Sequence, residues 1–343
     1  MKTKIIKINP KKPEISKIKE AAEIIKKGGL VAFPTETVYG LGANTFNQKA
    51  VKKIFQVKKR PFTDPIIVHI ANKKDIYKLA KKIPKRVKKL IDKFWPGPLT
   101  LVLKKRKIVP KIVTGGLETV AIRMPKNKIA LSLIKESKVP IAAPSANLFG
   151  RPSPTTAQHV KEDLLNKIEL IIDGGPTKIG LESTVIDLTT RPVTLLRPGG
   201  ITLEKLKKIL GEIKIHPTVF KKTKLKISKS PGMMSRHYAP RANLFLIEGE
   251  EKKVKNKIQQ LIKKYKKKKI GVLTVNKNHF YKADLVKFVG KDFSTIAKNL
   301  FKFLREFDKK NIEIIFAEGT DERDLGLAIM NRLRKASYKI IKV

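Results

Sequence analysis

The 343 residues are 41% hydrophobic and 31% charged with no cysteine, proportions that suit two globular domains and exclude disulfides, thiolate catalysis and cysteine-based metal sites. With 77 Lys and Arg against 29 Asp and Glu, the formal charge of +48 suits phosphate-rich partners, although Lys-dominated runs such as Lys266 to Lys269 carry no aromatics and fit solvated faces. The longest apolar runs, Leu99 to Leu103 and Pro140 to Pro144, are far too short to cross a bilayer, and the start lacks a secretory signal's apolar core, so a soluble cytoplasmic protein without a membrane partner is expected.

Ile15, Ile18, Ala22 and Ile25 recur at helical spacing up to Gly28-Gly29, and a short apolar strand, Leu30 to Phe33, follows and is stopped by Pro34. Thr35-Glu36-Thr37 therefore begins at a strand end. Val51, Ile54 and Phe55 mark a second amphipathic helix whose C-terminal end delivers Lys58 and Arg60 before Pro61 breaks it. Further strands are expected at Ile66 to Ile70, Leu99 to Leu103, Thr119 to Met124, Pro140 to Ala143, Leu170 to Asp173, Ser183 to Leu188 and Val193 to Arg197. Helices separate several of them, and helix Leu203 to Leu210 closes the series. This predicts an α/β fold, a twisted mixed sheet over residues 1–211. From 212 to 242 the pattern dissolves into a Lys-rich linker that ends in SPGMMSRHYAP from Ser230. Strands Leu244 to Ile247, Ile270 to Val275 and Ile312 to Ala317 then alternate with helices Val254 to Tyr265, Phe293 to Phe307 and Asp324 to Lys335. That rhythm predicts a small doubly wound, Rossmann-like parallel sheet over residues 243–343.

Ligands in α/β domains gather just past strand ends, so polar residues there are the ones to inspect. Thr35 and Thr37 flank Glu36 in a segment that suits either a capped turn or a site. Lys58, Arg60 and Asp64 bracket a Pro turn, where the cations suit phosphate oxygens or the dipole of the preceding helix. His69 falls inside an apolar strand, where an unpaired imidazole is costly. Arg123 closes a similar strand and needs an anionic partner, from the protein or from a substrate. Small residues lead into Ser145-Ala146-Asn147, whose hydroxyl and amide offer neutral donors to phosphate or ribose. No base accompanies Ser145, and neither a Gly-rich Lys-Ser/Thr phosphate loop nor Gly-x-Gly-x-x-Gly is present. The pattern describes an anion site without a protein nucleophile.

In this order, FPTETVYGLG from Phe33, Lys58-x-Arg60-Pro61, WPGPLTLVL from Trp95, AIRMP from Ala121, PSAN from Pro144, GRPSPT from Gly150, ESTVIDL from Glu182 and RPGG from Arg197 resemble a known family. The chain is similar to the two-domain threonylcarbamoyl-AMP synthases, with a YrdC-like catalytic domain over roughly residues 10 to 210. SPGMMSRHYAP and GLAIMNRL from Gly326 match the long form of that family. The resemblance implies that L-threonine, bicarbonate and ATP become threonylcarbamoyl-AMP and pyrophosphate, for N6-threonylcarbamoyladenosine in tRNAs reading ANN codons. Mg2+ would arrive with ATP. Carried over by position, Thr37, His69, Arg123, the backbone of Ala143 and Ser183 form the threonine pocket. Lys58, Arg60, Asp64, Thr119, Ser145, Asn147, Ser153 and Arg197 form the ATP side, with Lys58, Arg60, Ser145 and Asn147 as the catalytic set, and Tyr238 of the linker closes over the nucleotide as part of a lid. Asp64 stands where an Asn is common, and a carboxylate there has to face ribose or metal. The implied partners are the downstream tRNA threonylcarbamoyltransferase and RNA, since double-stranded RNA affinity is associated with the YrdC-like fold. A purely RNA-binding protein is the competing reading, whereas a hydrogenase-maturation carbamoyltransferase needs Cys-rich modules that this chain cannot carry.

Overall fold

The computed structural model describes residues 2–221, 230–233 and 237–343. Residues 222–229 and 234–236 of the expected linker lie outside the described residues. The chain opens with β1 (Lys4–Lys7) and α1 (Ile15–Lys26), which buries Ile18, Ala21, Ala22 and Ile25 on one face. Gly28, at φ 79°, takes the left-handed turn into β2 (Val31–Phe33), and β3 (Gly40–Asn44) returns antiparallel to it. Asn47 caps α2 (Gln48–Lys58) by accepting from the Ala50 amide. Next come β4 (Val68–His69), α3 (Ile76–Leu79), α4 (Lys85–Phe94), β5 (Leu99–Lys104), α5 (Lys111–Thr114) and β6 (Thr119–Arg123). The first domain continues through α6 (Lys128–Ser137), β7 (Ile141–Ala142), α7 (Ala157–Leu164), β8 (Leu170–Asp173), β9 (Thr184–Asp187), β10 (Val193–Arg197), α8 (Leu203–Leu210) and β11 (Ile213–Ile215).

These strands form one mixed sheet in the order β1-β8-β2-β3-β7-β4-β6-β5-β9-β10-β11. One face packs against α2, α4 and α8 through Val51, Ile54, Val87, Leu90 and Leu206. The other carries α1 and α6 toward the β1 edge. Beyond those helices the same face exposes Ile67, Val102, Ala121, Val185 and Leu196 to a different cover, Met233. The site lies between the two.

The second domain comprises β12 (Asn243–Glu248), α9 (Glu251–Lys264), β13 (Ile270–Thr274), β14 (Leu285–Phe288), α10 (Phe293–Lys309), β15 (Ile314–Glu318), α11 (Gly326–Ala336) and β16 (Lys339–Lys342). Its strands are all parallel, in the order β14-β13-β15-β12-β16. Alternating residues split its core: Phe245, Val272 and Phe316 meet α9, while Leu244, Leu246, Leu273 and Ile315 meet α10 and α11. The fold is therefore the expected mixed α/β sheet followed by a doubly wound parallel one.

Five strands were not anticipated from the sequence. β14 and β16 are half-buried edges with Lys in them, β1 is likewise Lys-flanked, and β3 reads Gly-Leu-Gly-Ala-Asn, so none presents an apolar run. Ile213–Ile215, in the stretch expected to be linker, instead extends the first sheet by pairing parallel with β10.

Candidate active site

Strand pairing assembles the centre of the site. His69 lies between Arg123 of β6 and Ile141 of β7 as cross-strand neighbours, and Thr100 of β5 lies opposite Arg123. Because alternate residues share a face, Ile67, His69, Thr100, Arg123, Ile141 and Ala143 all point to the face left open between α1/α6 and Met233. The cavity lies on that face where the strands run out into loops, as the sequence led us to expect: His69, Arg123 and Arg197 end β4, β6 and β10, Ala143 and Ser145 follow β7, and Ser183 precedes β9. Its walls include Thr35, Thr37, Arg60, His69, Arg123, Ala143, Ser145, Glu182, Ser183 and Arg197, with Pro231, Gly232, His237 and Tyr238 of the linker lying against them.

Each charged group in the wall has a defined counterpart. Arg123 pairs with Glu36 at 2.7 Å, and its Nε donates to the Gly97 carbonyl. A guanidinium has five donors, so it keeps others for a ligand. Arg60 pairs with Asp64 at 2.8 Å and donates to the carbonyls of Asp64 and Pro65. Asp64 therefore faces a guanidinium, which answers the repulsion expected of a carboxylate beside phosphate. Arg197 donates through Nε to the Ser183 carbonyl, through Nη2 to Ser183 Oγ and through Nη1 to the Pro231 carbonyl. Ser183 Oγ also lies 2.7 Å from Thr100 Oγ1. Glu182 binds the Ser153 hydroxyl with one oxygen and Arg332 of α11 with the other, at 2.7 Å. Burial would raise its pKa, but Arg332 and Arg197 outweigh burial and hold it below the ordinary value. His69 goes the other way: burial, with Arg123 alongside, lowers it to about 3, so the imidazole is neutral.

Thr37 is fully buried, its hydroxyl 2.8 Å from that of Thr35, whose Oγ1 accepts from the Thr37 amide in a tight turn. The Ala143 amide donates to the Ile67 carbonyl, and the residue lines the cavity. Lys58 does not line the cavity. Its Nζ donates to the carbonyls of Ser145 and Asn147, and burial together with Arg60 depresses its pKa strongly. Asn147 donates to the carbonyls of Leu148 and Arg151 and keeps Oδ1 buried without a hydrogen-bond partner among the described residues, while Ser153 sits behind Glu182. Thr119 opens β6, four residues from Arg123 and so about 13 Å along the strand, outside the cavity. The structure thus brings together Thr37, Arg60, Asp64, His69, Arg123, Ala143, Ser145, Ser183, Arg197 and Tyr238. Lys58, Asn147 and Ser153 form the supporting layer behind them.

Sequence reasoning assigned no role to Glu36, Glu182 or Arg332. The signal for the first two was present, an acidic residue set in an otherwise buried stretch beside a strand. Arg332 carried no such signal, because a Lys/Arg-rich helix reads as solvated until its fold partner is known.

A family model described as Telomere recombination, Sua5/YciO/YrdC, matches residues 23–199, and a model of the threonylcarbamoyl-AMP synthase C-terminal domain matches residues 201–337. The chain is 56% identical to a threonylcarbamoyl-AMP synthase of Pyrococcus abyssi, over 95% of this chain and 96% of the relative. It is 48% identical to that of Bacillus subtilis, over 93% and 92%. The crystal structure of P. abyssi Sua5 complexed with L-threonine superimposes with a TM-score of 0.95 at 54% identity, covering 99% of this chain and all of that one.

Proposed function

The chain belongs to the threonylcarbamoyl-AMP synthase family, and on that premise we propose that it joins L-threonine, CO2 or bicarbonate, and ATP into threonylcarbamoyl-AMP with release of pyrophosphate, on the path to N6-threonylcarbamoyladenosine in tRNA. The observation that carries this reading to its own residues is the cavity: three arginines and a neutral imidazole converge in it, with hydroxyls but no activated nucleophile.

We assign threonine to Thr37, His69, Arg123, Ala143 and Ser183, with its carboxylate on the donors that Glu36 and Gly97 leave on Arg123. His69 is far too weak a base to take a proton near neutral pH, so it holds the substrate by hydrogen bonding. The amine lone pair forms the N–C bond to CO2, and the amine proton leaves to solvent. A carbamate oxygen then attacks the α-phosphorus in line while the bond to pyrophosphate breaks. The substrate supplies the nucleophile, and the protein positions it and neutralises charge. Arg60, with Asp64 behind it, Ser145 and Arg197 are assigned to ATP, which enters as its Mg2+ complex. Lys58 and Asn147 support the loop that carries Ser145, Ser153 holds Glu182, and contact by them with ATP requires that layer to open. Thr119 has a place on the ATP side only beyond the cavity rim.

Residues 1–211, with β11 added, form the catalytic unit in this reading, residues 230–233 and 237–242 a lid, and 243–343 its support. Tyr238, buried and stacked on Phe301 of α10, closes the cavity. Tyr238→Ala is expected to raise KM for ATP about tenfold while leaving threonine affinity within about threefold. RNA and the downstream tRNA threonylcarbamoyltransferase remain assigned as partners, and the cytoplasm, where tRNA and ATP meet, as the location. Among the described residues no helix is long and apolar enough to cross a membrane.

The test is pyrophosphate release from ATP with threonine and bicarbonate supplied together and omitted in turn. Release only with all three supports the reading. No release, or release indifferent to threonine, ends it.

A further inference from the structure

The cavity proposed for ATP has a carboxylate in its wall. Glu182 lines it beside Ser183 and Arg197, and its low pKa keeps it ionised. A negative group in a buried wall repels phosphate strongly unless its charge is cancelled on the spot. The cancelling group comes from the other domain. Arg332, at 0% exposure on α11, places Nε 2.7 Å from Glu182 Oε2 and donates through Nη2 to the Pro198 carbonyl, next to Arg197. Its guanidinium lies over the Tyr238 ring at 5.1 Å, within cation–π range. Nη1 donates to Asn331 Oδ1, and the Asn331 amide in turn holds the Val219 carbonyl of the linker. One side chain therefore joins the wall, the segment after Arg197, the tyrosine of the lid and the root of the linker.

We infer that Arg332 is a positioning residue for the ATP half of the site, masking the Glu182 carboxylate from the incoming phosphates while seating Tyr238 over the cavity. It need not touch substrate. A residue that only held the domains together would act on stability, whereas one that masks a charge acts on the affinity for a polyanion, and its loss is repaired by removing the charge.

The inference rests on the use of ATP proposed above, so affinity and turnover are read separately. Calorimetry with a non-hydrolysable ATP analogue and with threonine, thermal melting, and pyrophosphate release are measured for the wild type, Arg332→Met, Arg332→Lys, Glu182→Gln and the double variant Glu182→Gln/Arg332→Met. Arg332→Met is expected to weaken analogue binding at least about tenfold and threonine binding by less than about threefold, and the added Glu182→Gln to recover most of the lost analogue affinity. Unchanged analogue affinity in a folded Arg332→Met overturns the inference, and so does a double variant no better than the single. Should Arg332→Met not fold, Arg332→Lys takes its place, because it keeps the charge but loses the forked contacts. It must then bind the analogue more weakly than wild type and improve on addition of Glu182→Gln, or the inference falls. A wild type that binds the analogue but releases no pyrophosphate overturns the proposed activity alone, and the affinities still decide on Arg332.

Discussion

A buried guanidinium needs a counter-charge, and Arg60 finds it four residues along its own chain in Asp64, both almost inaccessible to solvent. Removing one member of such a pair leaves the other desolvated and uncompensated. Asp64→Ala is expected to cost about 3–5 kcal/mol in denaturant unfolding, and Asp64→Asn less, because the amide still accepts from the guanidinium. His69 makes the opposite demand, since its site rejects the proton. Its pKa falls from an ordinary 6.5 to about 3, so between those values the unfolded chain binds a proton that the folded chain does not. Stability therefore falls as pH falls through that window, and this contribution is absent above it. His69→Gln should show a smaller loss of stability than wild type between about pH 7 and pH 4. Equal losses would mean that the folded site accommodates the imidazolium.

Just after β10 the chain passes the segment leading into β9 at Gly199, where an added Cβ would lie 2.3 to 2.6 Å from backbone atoms of Glu182, Ser183 and Thr184. Backbone cannot yield as a flexible side chain can. Gly199→Ala is expected to push the segment carrying Ser183 off the sheet, weakening threonine binding more than about tenfold and lowering Tm by several degrees, both measurable on one purified sample. Contacts of this kind mark the limit of what the sequence discloses. The strands that build the centre were legible because β5, β6 and β10 are dense apolar runs, and His69 and Arg123 stood out as polar residues within such runs. The edges β14 and β16 were not, because half-buried strands with Lys look like loops. The grouping of His69 with Thr100 and Ala143 follows from register across β4, β5, β6 and β7, which local pattern does not specify. Lys58 was legible as a cation at a helix end but not as the group that ties down the Ser145 loop, because its partners are backbone carbonyls that could belong to any residue.

At the scale of the molecule, the second domain grips the first through two buried arginines. Arg305 of α10 pairs with Asp163 of α7 at 2.7 Å and donates to the Pro152 carbonyl, just before Ser153, while Arg332 of α11 holds Glu182. Gly180, at φ 84°, lets the backbone press against α10 where a Cβ would come within 2.5 Å of the Ala297 carbonyl oxygen. Interfaces with this much buried charge couple the stability of the two halves. Wild type is expected to melt in one calorimetric transition, and Arg305→Met, which leaves Asp163 to Arg151 alone and the Pro152 carbonyl without its donor, to lose about 1–3 kcal/mol or to separate into two transitions.

The pairing of Glu182 with Arg332 spans 150 positions of sequence, and that distance is also an interval of time. A ribosome adding about 5–20 residues per second delivers Arg332 roughly 8 to 30 s after Glu182. Throughout that interval the nascent first domain has its arginines, its imidazole and its strands, and Glu182 has the Ser153 hydroxyl and the charge of Arg197 but not its ion-pair partner. Synthesis thus finishes this wall of the cavity last, and a growing chain lacks the Glu182–Arg332 pair until α11 has been made.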